Sequence, residues 1–218
     1  MALKKKKGPE NKSSTHERIQ LAAIGMEAEF AVVMDGVQVK PEDIFGSPRR
    51  IIREKMMHRK GRSYHLPTGG AVYFDTGVIE VATPVIEIER GCAARAGRSL
   101  WEGILFLRGE LDAWERANGR AAKLVGFSTH YNVSFEAPAV AAGEASVAAG
   151  RRTVERLALL LTYLLTHVLA APVMLLAANR RSTGIGVRPR GDRIEVTADF
   201  TPDAGLMAAT ATLIVGIA

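Results

Sequence analysis

The chain's patterning predicts an α+β fold from two observations. Stretches of strand character are broken at tight-turn residues, Asp35-Gly36, Thr76-Gly77 and Arg190-Gly191-Asp192, which favour antiparallel neighbours. Two longer stretches, Gly97–Asn118 and Leu157–Ala178, carry apolar residues at helical spacing or almost without interruption. With 218 residues and 47% hydrophobic content, the chain suffices for one domain with a sizeable core.

Lys4 to Lys7 and Lys12 concentrate positive charge ahead of the first apolar run, so the net charge of +6 is uneven. Residues 1–16 read as a solvated, disordered leader and 17–218 as the folded unit. No nucleic-acid or membrane partner is expected from that leader. Ala2 excludes N-myristoylation, which needs glycine there. The single cysteine, Cys92, excludes an intramolecular disulfide and a cysteine zinc site, and no signal peptide pattern is present. A cytoplasmic location is the expectation.

The first strand is expected at Ile19–Val33, turning at Asp35-Gly36. Pro41 and an acidic pair then open a helical pattern carrying Ile44, Ile51, Ile52, Met56 and Met57. Ala71–Phe74 and Val78–Val81, broken at Thr76-Gly77, are expected to be a hairpin or a bent strand pair. Leu100, Ile104, Leu107, Leu111 and Trp114 recur every three or four residues, and Asn118-Gly119 closes that helix. A strand follows at Lys123–Glu136, then a loop or helix start rich in small residues. Leu157–Ala178 has no charge for 22 residues, long enough to cross a membrane. His167, Thr162, Thr166 and Pro172 interrupt it, so it is expected to be a buried helix. A ribbon turning at Arg190-Gly191-Asp192 and an apolar C-terminal helix complete the order. That helix has no polar exit, which suggests truncation at the C-terminus.

Chemistry concentrates on the strands. In Gly25-Met26-Glu27-Ala28-Glu29-Phe30, alternation places both glutamates on one face. Asp75 with Glu80, His130 with Asn132, and Glu195 also lie on strand patterns. Carboxylates are depleted in strands and costly to bury unpaired, so the set points to a compensating cation. Oxygen donors suit Mg²⁺, and imidazole is shared more readily with Mn²⁺. Each member also has an ordinary reading: glutamates facing solvent, a structural histidine, or Glu195 paired with Arg188 or Arg193.

These motifs resemble the glutamine synthetase superfamily of carboxylate-amine ligases. "GMEAEF" is similar to its Gly-x-Glu-x-Glu-Phe strand, "IEVAT" to its Asn-Glu-Val-Ala-Thr, and "GFSTHYN" to its Gly-Ser-x-x-His-x-His with Asn132 at the last position. "NRRSTGIGVRPRGDRIEV" resembles its Asn-Arg-Ser segment leading to Arg-Ile-Glu-x-Arg. The likeness is nearest to the Pup ligase and depupylase branch, the proteasome accessory factors. In "TGGAVYFDTGVIEVATP" and "GFSTHYN", Tyr73, Asp75, Glu80, Thr83, His130 and Asn132 are in register with that branch. "VKPEDIF" is similar to the ligase's Leu-Ser-Pro-Asp-Glu-Val helix start.

The resemblance implies a glutamine synthetase-like catalytic domain, with a curved, mainly antiparallel sheet, acids on its concave face and helices on its convex side. It implies ATP and Mg²⁺ as cofactors, with Glu27, Glu29, Glu80, His130 and Glu195 holding the ions. Arg181, Arg188, Arg190, Asn132 and Tyr73 would bind the nucleotide, and Asp75 would act at the reacting centre. The implied reaction joins a carboxylate, carried by a small protein modifier or another donor, to an amine through an acyl phosphate. A depupylase-like hydrolase on the same site and a non-catalytic nucleotide-binding remnant are the alternatives, and a homo-oligomer is compatible with each. Two departures stand out. Thr197 replaces the arginine that follows the ribbon glutamate, and Glu195 itself is usually absent from the Pup branch.

Overall fold

The computed structural model describes residues 21–136, 144–178 and 184–218; the basic leader and Arg181 lie outside them. Its centre is one antiparallel sheet. The long strand β1 (Leu21–Met34) is flanked on one edge by β8 (Lys123–Phe135). Its other edge pairs successively with β2 (Val37–Val39), β6 (Val78–Ala82) and β7 (Ile86–Glu87). Beyond β6 lie β5 (Ala71–Asp75), β4 (Ser63–His65) and β3 (His58–Lys60); beyond β8 lie β10 (Arg193–Asp199) and then β9 (Gly186–Pro189). The sheet is open, and every pairing in it is antiparallel.

The expected turns appear. Asp35 and Gly36 have φ of 52° and 81°, and Thr76 and Gly77 have 48° and 93°. Two successive positive φ values give the type I′ turn, whose twist matches that of the strands it joins.

Period-two alternation gives β1 two different faces. Ile24, Met26, Ala28, Phe30, Val32 and Met34 are buried, and helix α2 (Cys92–Asn118) packs over this strand and β6. Leu100, Leu107 and Leu111, all buried, supply the inner stripe of α2. The helix begins five residues before the expected Gly97 and ends at Gly119, which has φ of 65° and donates its N–H to Glu115 O. Helix α4 (Ala204–Ile217) lies against α2, its start capped by Asp203 Oδ1 accepting from Leu206 N at 2.8 Å. The helices therefore cover one face of the sheet, and the odd-numbered side chains of β1 occupy the other.

Two expectations need correction. The helix expected beyond Pro41 is only α1 (Pro41–Phe45), followed by a 3₁₀ turn at Pro48–Arg50. Gly46, with φ of 71°, and Pro48 end the first helix, and Ile51 and Ile52 are buried from irregular backbone instead. Helix α3 (Glu144–Ala177) contains the segment expected to be buried, but among its described side chains burial follows one stripe: Ala158, Leu165, Leu169, Val173 and Ala177. That stripe faces β9, β10 and α4, which cover a single side. A helix apolar all round has no polar face from which to read which side is covered. Among the described residues it is the one helix long and apolar enough to cross a membrane.

Candidate functional site

Antiparallel register carries the acids of separate strands onto the open face in rows. Glu29 lies opposite Glu80 on β6 and opposite Ser128 on β8. Tyr73 continues that row on β5, and Asp199 continues it on β10. In the next row Glu27 is flanked by Ala82 and His130, with Thr197 beyond. A third row runs through Gly25, Asn132, Glu195 and Arg188. Segments far apart in sequence thus become neighbours without any loop having to fold over the sheet. Thr83 ties the end of β6 to β1, its N–H donating to Met26 O and its hydroxyl accepting from Met26 N.

The glutamates do not stand free in solvent. Glu80 is 5% exposed, and His130, Glu195, Ser128 and Asp199 are also buried. His130 Nδ1 lies 3.6 Å from Glu27 Oε2, and its Nε2 lies 3.6 Å from Glu29 Oε1. The Ser128 hydroxyl donates to Glu29 Oε2 by a short hydrogen bond, and its oxygen lies 3.2 Å from His130 Nε2. The Tyr73 hydroxyl is hydrogen-bonded in the gap between Glu27 and Glu80.

Ionisation follows from this crowding. Burial, reinforced by the charges of Glu29, Glu27 and Asp75, pushes the Glu80 carboxyl up to about 7 against the opposing hydrogen bond from Tyr73. Burial would also raise Glu27, but pairing with His130 and the Tyr73 hydrogen bond outweigh it, so Glu27 falls below the usual carboxylate value. In His130 burial disfavours the cation, yet Glu27, Glu29 and Glu195 together raise its value. Tyr73 is raised too, by burial first and then by Glu27 and Glu80.

Glu195 is placed differently. Arg188 Nε donates to its Oε1 by a short hydrogen bond, and Arg190 Nε donates to its Oε2 at 3.1 Å. Both of its oxygens are engaged by guanidinium groups. Arg193, also a possible partner by spacing, instead donates to Asn132 Oδ1 at 3.0 Å. Asp75, at the exposed end of β5, shares the face of Tyr73 and Glu80 and borders the hairpin turn.

Two recesses open on this face. One, of about 340 Å³, lies against Glu27, Thr83, Asn132 and Arg193. The other, of about 310 Å³, is bordered by Glu29, Ser128, His130, Arg188, Thr197 and Asp199. Glu27 and His130 stand between them. A larger recess, of about 500 Å³, lies between α1 and the end of α2, away from the acids.

Ser128 and Asp199 escaped the sequence reading. Each sits two or four residues from a residue already singled out, His130 and Glu195, so period-two alternation was the available signal. Among the described residues no three His, Cys, Asp or Glu side chains converge as a ready-made metal cage. By donor chemistry, Glu27, Glu29, Glu80 and His130 suit a hard divalent cation: carboxylate oxygens and one imidazole on the sheet face that the helices leave uncovered.

No protein-family description and no curated protein sequence matches this chain. Among solved structures, the fold is similar to the complex between prokaryotic ubiquitin-like protein Pup and its ligase PafA, with a TM-score of 0.50 and 12% identity. The likeness covers 90% of this chain and 45% of that one, so this chain spans less than half the length of that structure. At this identity the match is one of fold.

Proposed function

We propose that this open face is the centre of an ATP- and Mg²⁺-dependent carboxylate-amine ligase of the Pup-ligase kind, on a glutamine synthetase-like domain, with Mn²⁺ as a substitute ion. The observation that carries the reading is Glu29 lying directly opposite Glu80, beside the Glu27–His130 pair, on a face closed to neither solvent nor ligand. Like charges directly opposite one another destabilise a sheet, and a divalent cation removes that cost. Glu27, Glu29, Glu80 and His130 would hold the ions. When bound, Mg²⁺ and ATP supply charge neutralisation and phosphoryl transfer to a substrate carboxylate, activating it as an acyl phosphate toward an amine.

The chain's own groups have distinct tasks in this reading. Asp75, exposed at the rim, would take the proton of the attacking amine, which requires hydrogen-bond reach to that nitrogen. Arg188 and Arg190, held by Glu195, would face nucleotide phosphate, for which a planar and permanently charged guanidinium is suited. Tyr73 and Asn132 would border the nucleotide, and Tyr73 holds Glu27 and Glu80 in place. The solved complex contains Pup, and a small protein modifier is accordingly the proposed carboxylate donor.

The test combines Mg-ATP titration with a phosphate-release assay across a panel of amines. ATP consumption that depends on an amine, and is lost in Asp75→Asn, supports the ligase. Cleavage of an isopeptide without net ATP use replaces it with a hydrolase, and nucleotide binding without turnover replaces it with a regulatory remnant. Absence of nucleotide and metal binding overturns all three.

A further inference from the structure

The outer side of α3 presents a second ordered pattern, unconnected with the acids. Leu160, Leu164, His167, Ala171, Met174 and Ala178 recur at alternating intervals of four and three, the spacing of a coiled-coil seam. All six are exposed, and so are the flanking Tyr163 and Leu175, at 74% and 88%. The inner stripe of the same helix is packed on β9, β10 and α4, so this seam points away from the elements that α3 packs against among the described residues.

We infer that this seam is the interface of a two-fold symmetric dimer in which α3 packs antiparallel against α3 of a second copy. The sequence is self-complementary about the level of Leu169. A two-fold axis there sets Leu160 against the second copy's Ala178, Leu164 against its Met174, and His167 against its Ala171. These three pairs match one a position with one d position, the layering of antiparallel helices, and each sets a bulky side chain against a small or flexible one. An isologous interface demands this reciprocity, and a surface left apolar by chance does not supply it.

Area and charge agree with that occupant. The exposed apolar surface of the seam and its flanks is on the order of 700 Å², close to the ~800 Å² per partner of a standard stable interface. Exposed apolar patches of this size on monomers are unusual. The exposed cations of α3, Arg151, Arg152 and Arg156, all precede the seam, and no charged residue occurs from Leu157 to Ala178, whereas a helix lying on a lipid surface carries cations along the length of its apolar face. A membrane span would require lipid on all sides, but the inner stripe is committed to the sheet.

Sedimentation velocity of the full chain over a concentration series tests the proposal. A species of twice the 23.5 kDa chain mass is expected. Leu164→Glu and Ala171→Glu, at solvent-exposed positions, should each weaken association at least about tenfold, because a carboxylate would be buried at the seam. Leu105→Glu, exposed on α2, should leave association unchanged. Register is read by oxidative cross-linking. Leu160→Cys mixed with Ala178→Cys should form the mixed disulfide, while Leu160→Cys alone should not pair with itself across the dimer. Monomers at every concentration, binding of monomers to phosphatidylglycerol vesicles, or a Leu160→Cys self-cross-link would each overturn the proposal.

Discussion

Glu29 on β1 and Glu80 on β6 face each other across a hydrogen-bonded strand pair, both turned away from the helices. Their side chains compete for one polarity of environment, and Glu80 responds by holding its proton up to about pH 7. Glu80→Gln keeps the shape while removing one charge. In metal-free buffer at pH 8 the variant should melt a few degrees higher than the parent chain. Mn²⁺ affinity, measured by calorimetry, should fall at least about tenfold. A variant that lost metal-free stability would mean that Glu80 is held by attractive contacts, not by repulsion awaiting a cation.

The pH response has a definite sign. Glu80 has a folded value above its unfolded one, so its contribution to stability is fully present below about pH 4.5 and is lost as pH rises through about 7. His130 is shifted in the same direction, so its contribution is present below pH 6.5 and lost as pH rises through its folded value. Glu27 is shifted downward, so its contribution is present above pH 4.5 and is lost on acidification below that. Glu80 loses its stabilising proton as pH rises through about 7, and the upward shift of His130 acts in the same direction. Tm of the metal-free chain should therefore fall from pH 6 to pH 8, and the increase in Tm produced by Mg²⁺ or Mn²⁺ should be larger at pH 8. Differential scanning fluorimetry with and without chelator reads both.

Glu195 distinguishes two roles for a buried strand carboxylate. Its oxygens accept from Arg188 and Arg190, so Glu195→Gln should release two guanidinium groups from their fixed direction. Affinity for ATP in the absence of divalent cation should drop severalfold, while Mn²⁺ affinity should stay within about twofold. A large loss of Mn²⁺ affinity in this variant would return Glu195 to the metal set.

How far such a site is legible depends on which interactions are local. In β1, alternation alone separates Met26, Ala28 and Phe30 from Glu27 and Glu29, because a strand has period two and one face is buried. The tight turns were likewise readable, since two residues with positive φ demand a narrow set of residue types. Cross-strand partners were not. That Glu195 meets Arg188, and not Arg193, follows from the register of β9 against β10. Alternation puts Ser128 and Asp199 on the faces of His130 and Glu195, but their alignment with Glu29 depends on the pairing of β8 and β10. The half-covered state of α3 was hidden for a different reason. Its composition is apolar on every side, and the covered side is chosen by β9, β10 and α4.

Gly126 shows how a single missing carbon shapes the strand beside the site. It lies opposite Phe30, next to the register shift that lets Phe127 be the extra residue of β8. Such bulges bend a strand locally and re-aim its side chains, here just before Ser128 and His130. On the helix-covered side, Phe200 packs edge-on to Phe30 with ring centroids 4.8 Å apart, and its ring lies over Gly126. A Cβ at position 126 would come within 1.9 Å of the Phe200 ring, so Gly126→Ala must displace either the ring or the strand. The expected cost is about 1–3 kcal/mol, the range for overpacking a core. If the ring yields, Phe200→Leu should recover part of the loss in the double variant, and the site's Mn²⁺ affinity should be little changed. If the strand yields, rescue should fail, and Mn²⁺ affinity should fall with stability because Ser128 and His130 move with the bulge. Chemical denaturation of the four proteins of this cycle, paired with calorimetric Mn²⁺ titration, separates the two outcomes.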